Sequence, residues 1–287
     1  MYCYQPLRLN DVTNNKTIIK NKKVKKMQIP DSKIAVTLYN LRAHCQSESD
    51  LAATLEKVAG MGYKAVQVSG VPLEAEVIRK QLDAFGLYCC ATHENLATIS
   101  GDPKVIIDKL QTLGCDFAAL GSPGGDIDAS SMDKAVELAE IFKRQGDILG
   151  EAGIKLGYHN HAFEFTHIAG TRKTMLETIM DMTVGHNVYS ELDVHWVTRG
   201  GGSPAAWIRK LAGRISVIHF KDFVLVDKQP VFCEIGEGNL DWPEILKACE
   251  ETNVRWYSIE QDREFPGRDI FDSVKISIDN LRSWGVK

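Results

Sequence analysis

The run Gly153-Ile154-Lys155-Leu156-Gly157-Tyr158-His159-Asn160-His161 decides how this chain is read. Before it, Asp133–Ala152 has the apolar spacing of a helix, and Gly153 is the kind of residue that stops one. After it comes a short β-rich segment, Lys155–His159, ending in polar side chains able to bind metal or move protons. The same punctuation recurs at Gly62 before Ala65–Val68, at Gly86 before Tyr88–Thr92 and at Gly114 before Phe117–Leu120. Working outward, further strands are predicted at Lys33–Leu38, Val188–Asp193, Ser216–His219 and Trp256–Glu260. Helical spacing fills the intervals at Asp50–Ala59, Glu74–Phe85, Pro103–Leu113, Lys173–Met182, Pro204–Leu211, Trp242–Glu251 and Ile270–Trp284. Ser49 and Asp241 read as helix N-caps.

Eight strands alternating with eight helices is the count of a (β/α)8 TIM barrel, a fold of about 250 residues. The competing doubly wound sheet usually places a glycine-rich phosphate loop after its first strand. Here that position holds Tyr39-Asn40-Leu41-Arg42, and Gly200-Gly201-Gly202 comes too late and in the wrong pattern. One barrel over residues 31–287 is therefore expected, preceded by a basic extension over 1–30 expected to be disordered.

The 287 residues are 44% hydrophobic and 25% charged, with 9 Pro, which excludes collagen-like and low-complexity chains. The net charge is −4, but residues 1–26 carry seven Lys and Arg against Asp11 alone, a local +6 that leaves −10 for the rest. That balance argues against a nucleic-acid partner, and no apolar run reaches the roughly 20 residues of a membrane span. Met27 offers an alternative start, and the basic leader lacks the apolar core of a secretory signal. Seven cysteines without a C-x-x-C spacing, two of them adjacent at Cys89 and Cys90, suit a reduced, cytoplasmic protein. A homodimer is the default oligomer.

In a barrel of this kind the chemistry sits at the C-terminal ends of the strands. Strand five ends at His159, with His161 on the same face if alternation continues; strand six offers Glu191, Asp193 and His195 on one face. Strand seven ends in His219 and Lys221, strand eight in Glu260, strand three in His93 and Glu94, and strand two carries Gln67. Four successive strand ends thus present His159, Asp193, His219 and Glu260, one ligand each, for a single divalent metal ion. Nitrogen and oxygen donors without sulfur suit Mn²⁺ or Mg²⁺ first, with Co²⁺ or Zn²⁺ next.

Five segments carry a family resemblance: Tyr158–Phe165, Leu192–Trp196, Ile218–Asp222, Gly236–Trp242 and Ile259–Asp262. In this order they resemble the xylose-isomerase-like barrel superfamily. They are most similar to its sugar phosphate isomerase/epimerase group and also resemble inosose dehydratase. The resemblance implies one metal at the ends of strands five to eight, holding neighbouring oxygens of a small carbohydrate. In one respect the chain departs from it. Isomerases and epimerases of the superfamily carry a Glu at the end of strand five, paired across the sugar carbon with the Glu of strand eight. Here His159 stands at the matching position, as in the dehydratase-like branch, with Glu164 five residues on.

The expected activity is a metal-dependent sugar isomerase or epimerase working by proton transfer beside a carbonyl through an enediolate. The alternative is a lyase of inosose-dehydratase or keto-glycoside type on the same site. Glu260 is expected to ligate metal and handle a proton, with His159 or His161 serving the opposite face. Lys221 either neutralises developing oxyanion charge or pairs with Asp222 or Glu237. His93, Glu94, Gln67, His195 and Glu164 are the expected substrate contacts. Trp242 is expected to staple its helix, and Arg263 and Arg268 either bind a phosphate or pair with nearby acids. Two further readings are weaker. An apurinic-site endonuclease shares the barrel but has several metals and a basic face, and a sugar-binding barrel without catalysis would not need an intact ligand set.

Overall fold

The computed structural model describes residues 28–125 and 127–287, so the basic stretch over 1–26 lies outside the described residues. Ten strands follow in chain order: β1 (Ile34–Thr37), β2 (Ala65–Val68), β3 (Tyr88–Asn95), β4 (Phe117–Ser122), β5 (Lys155–His159), β6 (Val188–Asp193), β7 (Ile215–Phe220), β8 (Asp222–Val226), β9 (Gln229–Cys233) and β10 (Trp256–Ile259). Eight of them pair in parallel and close on themselves in the order β1-β10-β7-β6-β5-β4-β3-β2, with helices in the intervals. This is the expected (β/α)8 barrel.

Alternation along each strand divides the interior in two. Ile34 and Val36 join the large core shared with apolar helix residues such as Leu55, Leu82 and Ile278. Ala35 joins a smaller cluster drawn from strands alone, with Ala65, Ala119, Phe117 and Trp256. Cys89 and Cys90 fall into different clusters, as opposite-facing neighbours must. Gly157 keeps the lumen open for Phe117, because a Cβ there would overlap its ring. Gly86 and Gly114 end their helices in the left-handed conformation, at φ 66° and 65°.

Several boundaries moved. The helix predicted from Asp50 begins at Glu48, so Ser47 rather than Ser49 is its cap, accepting a hydrogen bond from the Asp50 amide. Asp241 caps as expected, and Trp242 packs against Phe220 and Trp284. An antiparallel hairpin, β8–β9, follows β7 directly, where the sequence pattern predicts no strands. Its base is held by Asp222, whose carboxylate accepts from the amides of Phe223, Gly236 and Gly238 and from the Trp242 indole at 2.6 Å. Among the described residues no helix is long and apolar enough to cross a membrane.

Candidate metal centre

Parallel register places the polar strand ends side by side: His159 is level with Glu191, and Asp193 with His219. Two asparagines fix the strands that follow. Asn160 Oδ1 accepts from the Asp193 amide at 3.0 Å. Asn40 brackets Glu260, donating to the Ile259 carbonyl at 3.0 Å and accepting from the Gln261 amide at 2.8 Å.

One ligand atom from each of His159, Asp193, His219 and Glu260 falls within 4.8 Å of the others, and all four side chains are buried. A second set, His93, His159, Glu191 and His219, overlaps the first and meets the same limit. The donor chemistry fits a divalent cation. So does the bonding at Asp193, whose buried Oδ2 makes no hydrogen bond and has only the charge of Lys221 beside it. Lys221 supplies the countercharge. Its Nζ lies 2.8 Å from Glu260 Oε2, 3.2 Å from Asp193 Oδ2 and 3.1 Å from Asp262 Oδ2. It therefore pairs with neither Asp222 nor Glu237.

The charges follow from these neighbours. Burial alone would raise the Glu260 carboxyl, but Lys221 and His219 hold it well below the usual carboxylate range. Burial pushes Asp193 up to about 6 against the pull of Lys221. Burial would strip the proton from His219, yet Glu191 and Glu260 outweigh it and hold that ring's pKa well above its ordinary value. His159 and His161 go the other way. Burial lowers both, despite Glu191 beside His159, and His161, further disfavoured by Lys221, comes to about 4.

A cavity of about 400 Å³ opens above this cluster, lined by His93, Glu94, His159, His161, Lys221, Glu260 and Asp262 among others. Asp193 and His219 lie beneath its wall, fully buried. Three expected substrate contacts do not border the cavity. Gln67 is fully buried, donating to Glu191 Oε1 at 3.0 Å. Glu164 accepts from the His161 amide at 2.7 Å and the Tyr158 hydroxyl at 3.1 Å, which ties it down behind His161. His195 is not a strand residue. Asp193 caps a short helix over Val194–Arg199, its Oδ1 accepting from the Trp196 amide, and the turn carries His195 into a nest of Trp196, Phe223 and Phe232. Glu94 does reach the cavity wall, but it is paired with Lys109 at 2.7 Å. Arg268 pairs with Glu234 and Glu237, whereas Arg263 lines a separate, smaller cavity. The residue whose importance the sequence concealed is Glu191, which meets His93 Nε2 at 2.5 Å and both His159 and His219 at 3.4 Å.

Comparison with known proteins agrees with this geometry. Inosose dehydratase of Clostridium beijerinckii is 26% identical over 254 residues, covering 76% of this chain and 84% of that protein. The inosose dehydratase of Clostridium perfringens is 24% identical over 255 residues with the same coverage. A crystal structure of a sugar phosphate isomerase/epimerase from Parabacteroides distasonis superposes with a TM-score of 0.77 at 25% identity, covering 90% of this chain and 96% of that one. Residues 55–283 match the model of a family described as xylose isomerase-like TIM barrel. With the closed barrel and the histidine–carboxylate cluster at its strand ends, that match makes this chain a member of the xylose isomerase-like TIM barrels.

Proposed function

We propose that the protein is a metal-dependent lyase acting on a small carbohydrate that bears a carbonyl group. In this reading it removes the proton beside the carbonyl and expels water, or another β-leaving group, from the next carbon. A divalent cation, Mn²⁺ or Mg²⁺ by preference and Co²⁺ or Zn²⁺ otherwise, would be held by His159, Asp193, His219 and Glu260. When bound, it supplies Lewis-acid stabilisation of negative charge on neighbouring substrate oxygens.

The observation that carries the lyase reading is the asymmetry of the proton-handling groups. His159 stands at the end of β5, where a carboxylate would complete a matched pair with Glu260. On that side the base is His161, which borders the cavity while its buried Nδ1 faces Glu164. Burial keeps the ring neutral at physiological pH, in the form that accepts a proton. In a same-face elimination one such group suffices. The C–H electrons form the double bond as the β C–O bond breaks, and the proton taken by His161 leaves with the departing hydroxyl. Lys221, charged and bordering the same cavity, sets a positive charge beside the oxyanion. Similarity to two inosose dehydratases over most of the chain supports the same outcome.

Isomerisation or epimerisation is the second reading. It is favoured by Glu260, whose carboxylate borders the same cavity as His161 and would serve the opposite face. Six described cysteines, all free and buried, support placement in a reducing compartment such as the cytoplasm. Mass spectrometry of a keto-sugar and keto-inositol panel, incubated with Mn²⁺-loaded protein in D₂O, separates the readings. Loss of water or of an aglycone is expected. A product of unchanged skeleton carrying carbon-bound deuterium would establish the second reading, and no turnover across the panel would overturn both.

A further inference from the structure

Beneath the four candidate ligands lies a second polar layer, in which Gln67 and Glu191 are fully buried and do not border the cavity. Glu191 is fully buried on β6, two residues before Asp193, and faces the barrel lumen. Its Oε1 accepts from Gln67 Nε2 at 3.0 Å. Its Oε2 lies 2.5 Å from His93 Nε2 and 3.4 Å from both His159 Nδ1 and His219 Nε2. The amide of Gln67 is thereby oriented, its nitrogen toward Glu191 and its oxygen toward His219 Nε2 at 2.8 Å. An amide oxygen only accepts, so His219 must carry its proton on Nε2 and turn Nδ1 toward Glu260, 2.9 Å away.

From this geometry we infer that Glu191, acting directly on His159 and through Gln67 on His219, is the positioning residue that sets tautomer and ring plane of both histidine ligands. The inference rests on His159, Asp193, His219 and Glu260 being the metal ligands. For a neutral His219 to bind a cation through Nδ1, the other ring nitrogen must keep its proton, and the Gln67 oxygen enforces that choice. The same carboxylate lies 3.4 Å from Nδ1 of His159 and draws the proton of a neutral ring to that nitrogen, leaving the lone pair of Nε2 for the metal. Histidine ligands commonly need such outer partners, whose loss costs about ten- to a hundred-fold in metal affinity. Glu191 itself is disqualified as a first choice of ligand by its neighbours, since both its oxygens already face donors.

The test titrates Co²⁺ into metal-stripped protein, following calorimetry and the visible spectrum, which reports the ligand geometry. Glu191→Gln and Gln67→Met should each fold, as checked by circular dichroism, and bind Co²⁺ about ten- to a hundred-fold more weakly with a shifted spectrum. The double variant should lose less than the two losses combined, because both act through His219. Wild-type affinity and spectrum in a folded Glu191→Gln would overturn the inference while leaving the metal site intact. If Glu191→Gln does not fold, Gln67→Met alone decides it, unchanged binding there being fatal. Binding that survives Glu260→Gln but vanishes in Glu191→Gln would make Glu191 a ligand and overturn the inference too. A wild-type protein that binds no Co²⁺ would sink the metal reading itself, and this inference with it.

Discussion

Lys221 Nζ and Glu260 Oε2 lie 2.8 Å apart with both side chains buried, and the same ammonium group lies 3.2 Å from Asp193 Oδ2. One cation thus balances two of the carboxylates assigned to the metal. Removing one partner of a buried ion pair costs about 3–5 kcal/mol. Lys221→Met should therefore lower the melting temperature of metal-free protein sharply. Saturating Mn²⁺ should restore part of that loss by replacing the missing positive charge. Calorimetry with and without Mn²⁺ checks this; an unchanged melting temperature in the metal-free variant would refute it.

His161 is assigned a proton, not the metal. His161→Gln should lower kcat by about 10²- to 10⁴-fold while bound metal, measured by atomic emission, stays at the wild-type level. Metal lost together with activity would move His161 into the ligand set.

Glu164 makes stability depend on pH. Burial pushes its carboxyl up from 4.5 to about 7, although the His161 amide and Tyr158 pull the other way. Between those values the folded protein keeps a proton that the unfolded chain releases. Its contribution to stability is complete below about 4.5 and lost as pH rises through about 7. Glu164→Gln fixes the neutral form and retains an acceptor for the His161 amide. Urea titrations should show the variant gaining on wild type by about 3 kcal/mol between about pH 4 and pH 8. A constant difference across that range would contradict the shift.

The loop after the hairpin is packed against one carboxylate. A Cβ on Gly238 would overlap Asp222 Oδ1, which accepts from the Phe223 and Leu240 amides, while the Gly238 amide donates to Oδ2. Gly238→Ala should cost about 1–3 kcal/mol in urea unfolding, and more if Asp222 is forced off the Trp242 indole. Wild-type stability would show that the loop can shift without loss.

The barrel was legible because its punctuation is local. Each helix-stopping glycine and each short apolar run can be recognised without knowing what packs on it. The four candidate ligands were legible for a related reason, since a strand end in a barrel has only one place to go. His195 was misplaced because alternation was extended past Asp193, whose short acceptor side chain caps a helix instead. The hairpin escaped because its turn lies at Asp227 and Lys228, both with positive φ, where Asn-Gly or Asp-Gly is the usual signal. Pro230 in the second strand disguised it further. Glu191 shared a face with Asp193 in the sequence, but its weight comes from His93, Gln67 and His219, which only closure of the barrel brings to it.

That hairpin also bears on how the protein behaves at high concentration. A closed barrel leaves no strand rim for another chain to extend. Among the described residues, the ladder of Asp222–Val226 with Gln229–Cys233 is the one sheet whose outer rims stay unpaired, and Leu225 and Val226 are exposed along it. Pro230, which has no amide hydrogen to offer, and the charged pair Asp227-Lys228 at the tip blunt those rims against chain-to-chain zippering.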